Sequence, residues 1–398
     1  MVSKQRVHEL TAALGGRLLD MRRHLHMHPE LSFEETETAR FIMAELDAIG
    51  VPYRSGVGGH GIVAEIKGAH SSDRIIGLRG DMDALPIEEA NDVVYKSTKT
   101  GVMHACGHDA HTTCAFGAVA VLHALRDELP VTYRVLFQPA EERIPGGASL
   151  MIRDGALNPL PAAMFGQHVY PELEAGKVGF KPGMYMASAD ELYFRVKGKG
   201  GHGALPRRFS DPVTAAAQLI INLQQIVSRK APPDVPSVLS IGKIVANGAT
   251  NIIPNEVYME GTFRTFNEPW RQEAHGWIER MTKLTAETFG VEAEVEVRVG
   301  YPFLVNDEAL TARAIADAED FLGAENVVPL ELRPTAEDFA YFSQQVPSCF
   351  FRLGTASPDG RHTSGLHTPT FDIDESALQV GTGMMAWLAL QEGFRAGA

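Results

Sequence analysis

Apolar residues spaced three and four apart predict helix over residues 1–46, around the segment RRHLHMHPELSF. Short apolar runs predict strands over 61–66 and 74–78, the second running into GDMDALP. A helix is expected over 109–125, with Asp109 in its first turn, where the helix dipole favours an acid. Strands follow over 132–137, ending in QPAEE, and over 163–166, ending in QHVYP. This alternation predicts an α/β domain built on a mixed, largely parallel sheet. The pattern then changes: strand 191–196, helix 212–228, strands 237–245 and 257–266, helix 270–289 and an alternating strand 291–299. That β-α-β-β-α-β order is ferredoxin-like, an antiparallel sheet covered by two helices on one face. Past Tyr301 the first pattern resumes with helix 308–322, strand 349–353 and helix 375–392. The expectation is a discontinuous α/β domain, 1–187 and 300–398, interrupted by an inserted α+β domain, 188–299.

Composition narrows the classes of function. A chain of 398 residues suits two domains, and 44% apolar with 22% charged residues is ordinary for a globular protein. The net charge of -14 argues against a nucleic-acid partner, because phosphate binding draws on Lys and Arg. Three cysteines, Cys106, Cys114 and Cys349, form no disulfide framework and point to a reducing compartment. The N-terminal segment lacks a secretory apolar core, and no stretch approaches the roughly 18 uninterrupted apolar residues of a membrane helix. A soluble, cytoplasmic protein with no membrane partner is expected.

Polar clusters follow the predicted strands: Asp81 with Asp83, Glu141 with Glu142, His168, and more distantly His367. Open α/β sheets bind ligands beyond the carboxyl ends of their strands, so these clusters converge on one edge, with Cys106 and His108 in the loop entering the 109–125 helix. Cysteine thiolate, imidazole and carboxylate are ligands for zinc and its neighbours. Taken singly, the Cys-x-His also describes an inert buried cysteine beside ordinary histidines, and paired glutamates a solvated turn. His202, in a glycine-rich loop, reads by itself as an exposed loop residue. Asn251 and Arg264 read as a turn residue and a surface ion pair. The run His24, His26, His28 would point around a helix surface instead of converging. His104 and His111 flank the cluster as structural neighbours, His362 stands close to His367, and Cys114 is a small core residue.

The motifs GDMDALP, HACGHDAHT, FQPAEE, GGA, GQH, GKGGHGALP, NIIPN, GTFRT and LHTPTF occur in order between Gly80 and Phe371, within a resemblance that runs from about Arg22 to about Phe394. Together they resemble the M20 metallohydrolases, in particular the branch of aminoacylases, hippurate hydrolases and auxin-conjugate hydrolases. The Cys-Gly-His element and the Asp81-Met82-Asp83 motif set the chain apart from the dipeptidase and acetylornithine-deacetylase branches. The resemblance implies two divalent metal ions per subunit (Zn, Mn, Co or Ni) held by Cys106, His108, Glu142, His168 and His367. It implies Glu141 as general base, Asp83 as the acid orienting a ligand, and Asn251 and Arg264 on the substrate carboxylate. It also implies that the inserted domain serves as a dimerisation and lid domain, that His202 is an oxyanion donor delivered across a homodimer interface, and that the substrate is a small N-acyl amino acid. Three alternatives stay open: a metallocarboxypeptidase or dipeptidase, a metal-binding protein without catalysis, and a cysteine hydrolase with Cys106 as nucleophile.

Overall fold

The computed structural model describes residues 2–69, 72–361 and 364–397; His362 lies outside them. The expected N-terminal helix is two helices, Lys4–Met27 and Thr36–Ile49. Pro29 explains the break, since a proline has no amide hydrogen and disfavours helical backbone in the residue before it. The first helix is capped by the Ser3 hydroxyl, which accepts from the Arg6 amide at 3.2 Å. The second ends at Gly50, whose φ of 72° is the usual left-handed stop.

The chain divides into two compact units. The first comprises Met1–Tyr185, Val305–Leu332 and Asp338–Ala398. It holds an eight-stranded sheet in the order Tyr53–Val57, Gly61–Lys67, Thr132–Gln138, Ile75–Asp81, Ala163–Glu174, Ser348–Ala356, Val178–Phe180, Val327–Pro329. The four central strands, Thr132–Gln138 to Ser348–Ala356, run parallel. Antiparallel pairings flank them on both sides. The mixed, largely parallel sheet is thus as the apolar pattern predicts. The strand expected to stop at 166 continues to Glu174, and the Tyr53–Val57, Val178–Phe180 and Val327–Pro329 strands carry no clear apolar run. Helix His108–Ala124 is buried on almost every side, packed against the sheet and against helices Lys4–Met27 and Ala377–Gly397.

One buried ion cluster ties these helices together. Arg22, with 0% exposure, donates to Asp109 (2.9 Å) and Asp372 (2.8 Å). His26, equally buried, lies 2.7 Å from Asp109 through Nδ1 and 3.2 Å from Glu89 through Nε2. The expectation that the His-x-His-x-His run points around a surface therefore fails at its middle member. His24 and His28 do share an outer face, with ring centroids 4.5 Å apart. The reason is the helical period, which turns His26 toward the core while its neighbours two positions away stay outside.

The second unit comprises Met186–Leu304 and Arg333–Glu337. Its main sheet has four antiparallel strands in the order Ser237–Val245, Glu256–Thr265, Asp190–Lys197, Glu292–Val299. Leu192, Phe194 and Val196 alternate toward a core completed by Leu219 and Leu223 of helix Pro212–Gln225 and Trp270, Ala274 and Ile278 of helix Glu268–Phe289. The segment Arg333–Glu337 joins this unit through backbone bonds: the Ala187 amide donates to the Arg333 and Thr335 carbonyls at 3.2 and 3.0 Å. No hydrophobic period announces so short an excursion.

Replacing Arg22 by Met removes the buried guanidinium that Asp109 and Asp372 share. The expected loss is about 3–5 kcal/mol, read as a fall of roughly 6–10 °C in apparent melting temperature. An unchanged melting curve would mean the cluster is not the tie described.

Candidate metal centre

Every polar cluster read from the sequence on the first unit meets at one place. Asp81 is the last residue of its strand, and Asp83 lies two residues on. Glu141 and Glu142 follow strand Thr132–Gln138. His168 stands just past the point where its strand stops pairing with Ile75–Asp81. Cys106 and His108 flank Gly107, whose φ of 82° reverses the chain at the start of the helix. A Cβ at Gly107 would meet a Val169 methyl at 2.5 Å, so only glycine lets both neighbours face the same point. His367, at φ 61°, is tied by its amide to the Ala105 carbonyl at 2.8 Å.

The resulting geometry is a pair of ligand groups sharing one sulfur. Cys106, His108 and His168 form one set of convergent donor atoms; Cys106, Glu142 and His367 form another. Cys106 Sγ is 3.4 Å from His168 Nε2 and 3.3 Å from His367 Nε2. His367 Nε2 lies 3.1 Å from Glu142 Oε1. Sulfur and nitrogen ligands on one tetrahedral zinc stand about 3.5 Å apart, so these spacings fit a shared cation without rearrangement. His108 Nε2 is buried with no hydrogen-bond partner, 3.7 to 4.0 Å from carboxylate oxygens of Asp81, Glu142 and Glu141. An orphaned imidazole nitrogen facing three acids is the donor set of a cation site.

The hydrogen bonds around the centre fix which nitrogen is available. His108 Nδ1 lies 3.1 Å from Asp83, and donation there leaves Nε2 as lone pair. His168 Nδ1 donates to the Val169 carbonyl at 2.7 Å, again leaving Nε2 to face Cys106. His111 Nε2 accepts from the Val169 amide at 2.8 Å, so its proton sits on Nδ1, bonded to Asp81 at 2.6 Å. Asp81 is held from its other oxygen by the buried Arg79 guanidinium at 2.6 Å, which also reaches Asp338 at 2.8 Å.

Electrostatics agree with this arrangement. Burial and the Arg352 guanidinium hold His168 well below the usual imidazole range, so it is neutral. His108 sits against burial, but Asp81 and Asp83 raise it to about 10: without a cation, the acids hold a proton in its place. Burial, then Glu142 and Glu141, push the Cys106 thiol well above its ordinary value. A thiol so placed is no nucleophile by itself, which weighs against a cysteine hydrolase.

Glu141, 7% exposed, stands beside the ligand groups with Oε2 4.0 Å from His108 Nε2. Ala140, just before it, has a φ of 51°, a left-handed conformation that costs a non-glycine residue on the order of 1 kcal/mol or more.

The remaining expected site residues lie on the second unit. His202 and Asn251 are exposed neighbours on a short ribbon, Gly201–His202 against Ile252–Ile253, where the Gly203 amide donates to the Asn251 carbonyl at 2.9 Å. His202 Nδ1 accepts from the Ala204 amide at 3.1 Å, which puts its proton on Nε2. Arg264, near the end of strand Glu256–Thr265, is half-buried and donates to the Pro334 carbonyl at 3.4 Å. Burial holds its pKa below the usual guanidinium value. The sequence reading missed Arg79, Glu35 and Asp338 as builders of the centre. Arg79 alone gave a signal, as a charge within an otherwise apolar strand.

Asp83 accepts from Ser32 Oγ (2.6 Å) and the Glu142 amide (3.0 Å) as well as from His108. Asp83→Ala is expected to weaken Zn2+ or Mn2+ binding, measured by chelator competition, by about 10- to 100-fold. Affinity equal to the parent's would show that these bonds do not orient the ligands.

Residues 77–391 match peptidase family M20/M25/M40. The chain is 40% identical over 367 residues to the N-acetyl-L-cysteine deacetylase of Bacillus subtilis, covering 92% of this chain and 86% of that one. It is 40% identical over 305 residues to the N-acyl-L-amino acid amidohydrolase of Geobacillus stearothermophilus, covering 77% and 82%. Among solved structures, a Bacillus subtilis protein described as a dinuclear metal binding peptidase of the M20 family superposes with a TM-score of 0.82 at 37% identity, covering 96% and 99%. These matches agree with the resemblance carried by the motifs.

Proposed function

The chain belongs to peptidase family M20/M25/M40, and we propose that it hydrolyses the amide bond of N-acyl amino acids to a carboxylate and a free amino acid. The observation that carries this reading is Cys106 Sγ shared by two ligand groups, with the Glu141 carboxyl at their side. The similarity to an N-acetyl-L-cysteine deacetylase and an N-acyl-L-amino acid amidohydrolase supports the substrate class. Two divalent cations (zinc, manganese, cobalt or nickel) on Cys106, His108, Glu142, His168 and His367 would lower the pKa of a shared water and polarise the acyl carbonyl.

The protein's own groups do the rest. Glu141 takes the proton of the attacking water and returns it to the leaving amine nitrogen. Asp83 keeps the His108 proton on Nδ1, so that Nε2 remains a ligand. His202, whose Nε2 carries the proton, donates to the oxyanion; it does so in the site of a second subunit, making the enzyme a homodimer. Asn251 and the half-buried Arg264 hold the substrate carboxylate, a planar anion that a guanidinium fork matches. The three cysteines, buried and unpaired, suit a cytoplasmic location. Among the described residues no helix is long and apolar enough to cross a membrane.

A panel of N-acetyl, N-benzoyl and indole-acetyl amino acids beside dipeptides separates this reading from a peptidase. Glu141→Gln is expected to bind metal like the parent yet lose about 10²- to 10⁴-fold in kcat on the best of them, because only proton transfer is removed. Turnover retained by that variant would exclude the base assignment.

A further inference from the structure

The loop between the two N-terminal helices reaches under the metal centre at two points. Ser32 Oγ donates to Asp83 Oδ2 at 2.6 Å, and Glu35 Oε1 accepts the Ala140 amide at 2.7 Å. The loop is itself anchored: the Ala84 amide donates to the Glu30 carbonyl at 2.8 Å, and Glu30 Oε2 accepts the Thr38 amide at 2.8 Å. Glu35 is 0% exposed, and its second oxygen, Oε2, has no hydrogen-bond partner. A buried acid with half of its acceptors idle is a poor device for stability alone.

What it grips is a residue under backbone strain. Ala140 sits in left-handed conformation immediately before Glu141, where an alanine does not stay without an external hold. Its carbonyl is fixed on the other side by the Gly147 amide at 2.9 Å. Relaxation of φ at Ala140 would swing the start of the Glu141–Glu142 pair, since the two carboxyls hang on that one torsion.

We propose that Glu35 is a positioning residue for Glu141: its carboxyl oxygen holds the Ala140 amide, and with it the turn that brings the base to the water. The inference rests on the reading of Glu141 as general base. It asks of Glu35 only an acceptor oxygen at the right length. A glutamine supplies that oxygen without the charge, an aspartate keeps the charge but falls one methylene short, and a leucine supplies neither.

The test is steady-state kinetics on N-acetyl amino acids with metal content and melting temperature measured for Glu35→Gln, Glu35→Asp and Glu35→Leu. A misplacement of the base on the order of 1 Å costs about 10²-fold, so Glu35→Asp and Glu35→Leu are expected to lose about 10- to 100-fold in kcat with KM little changed. Both should hold two metal ions per chain, and Glu35→Gln should recover most of the parent kcat. Parent-like kcat in Glu35→Asp or Glu35→Leu overturns the proposal. So does metal lost in step with activity, or a Glu35→Gln as impaired as Glu35→Asp. If Glu35→Leu does not fold, the contrast between Gln and Asp decides alone. Failure of the base reading is told apart by Glu141→Gln: an active Glu141→Gln removes the premise, whereas an inactive one beside a fully active Glu35→Asp removes only Glu35.

Discussion

Asp81, Asp83, Glu141 and Glu142 bring four carboxyls to the neighbourhood of one buried imidazole, His108, and one buried thiol, Cys106. Negative charge crowded away from water is costly unless something positive answers it. The protein supplies part of the answer itself. Arg79 neutralises Asp81 from below, and Asp83 is held by Ser32, His108 and the Glu142 amide. What is left is the side where His108 Nε2, Cys106 Sγ, His168 Nε2 and His367 Nε2 come together, with protons held on His108 and on the Cys106 thiol in the absence of a cation. Cations are the species that satisfy all of these donors together. Burial, with Glu142 and Glu141 beside it, raises the pKa of the Cys106 thiol, and positive charge at the same point would oppose that shift.

The fold serves this constraint by delivering each donor from a different element with little freedom left. The parallel centre of the sheet ends two strands at Asp81 and Gln138 and carries His168 just past the last pairing with Ile75–Asp81, and helix His108–Ala124 starts beside them on a glycine that no other residue could replace without striking Val169. These donors are braced by a layer of buried side chains. Arg22 and His26 fix Asp109 beside His108; His111 clamps the peptide after His168; Glu35 holds the strained link before Glu141. Precision at the centre is therefore inherited from buried polar bonds one residue away.

Much of this was legible in the sequence. The strand-end positions of Asp81 and Glu141 followed from apolar runs that stop at acids, His168 was found by the same reading although its strand runs on to Glu174, and the βαββαβ order of the inserted segment followed from its periods. Other features left no trace in periodicity. The break at Pro29 hides inside a pattern that is apolar at helical spacing on both sides. Short edge strands such as Val327–Pro329 bury too little to show an apolar run. Glu35 sits in FEETET and reads as one more solvated acid, because its burial depends on a contact 105 residues away. His26 reads like its neighbours His24 and His28 until the helix phase turns it inward. Such residues are invisible to local pattern because their partners are remote.

The most direct test of the account is anomalous diffraction from crystals of the protein grown with Mn2+ or Zn2+, recorded at the metal edge. The account predicts two peaks about 3.5–4 Å apart, both within bonding distance of Cys106 Sγ, one flanked by His108 and His168 and the other by Glu142 and His367. A single peak, or a pair that leaves Cys106 uncoordinated, would contradict it.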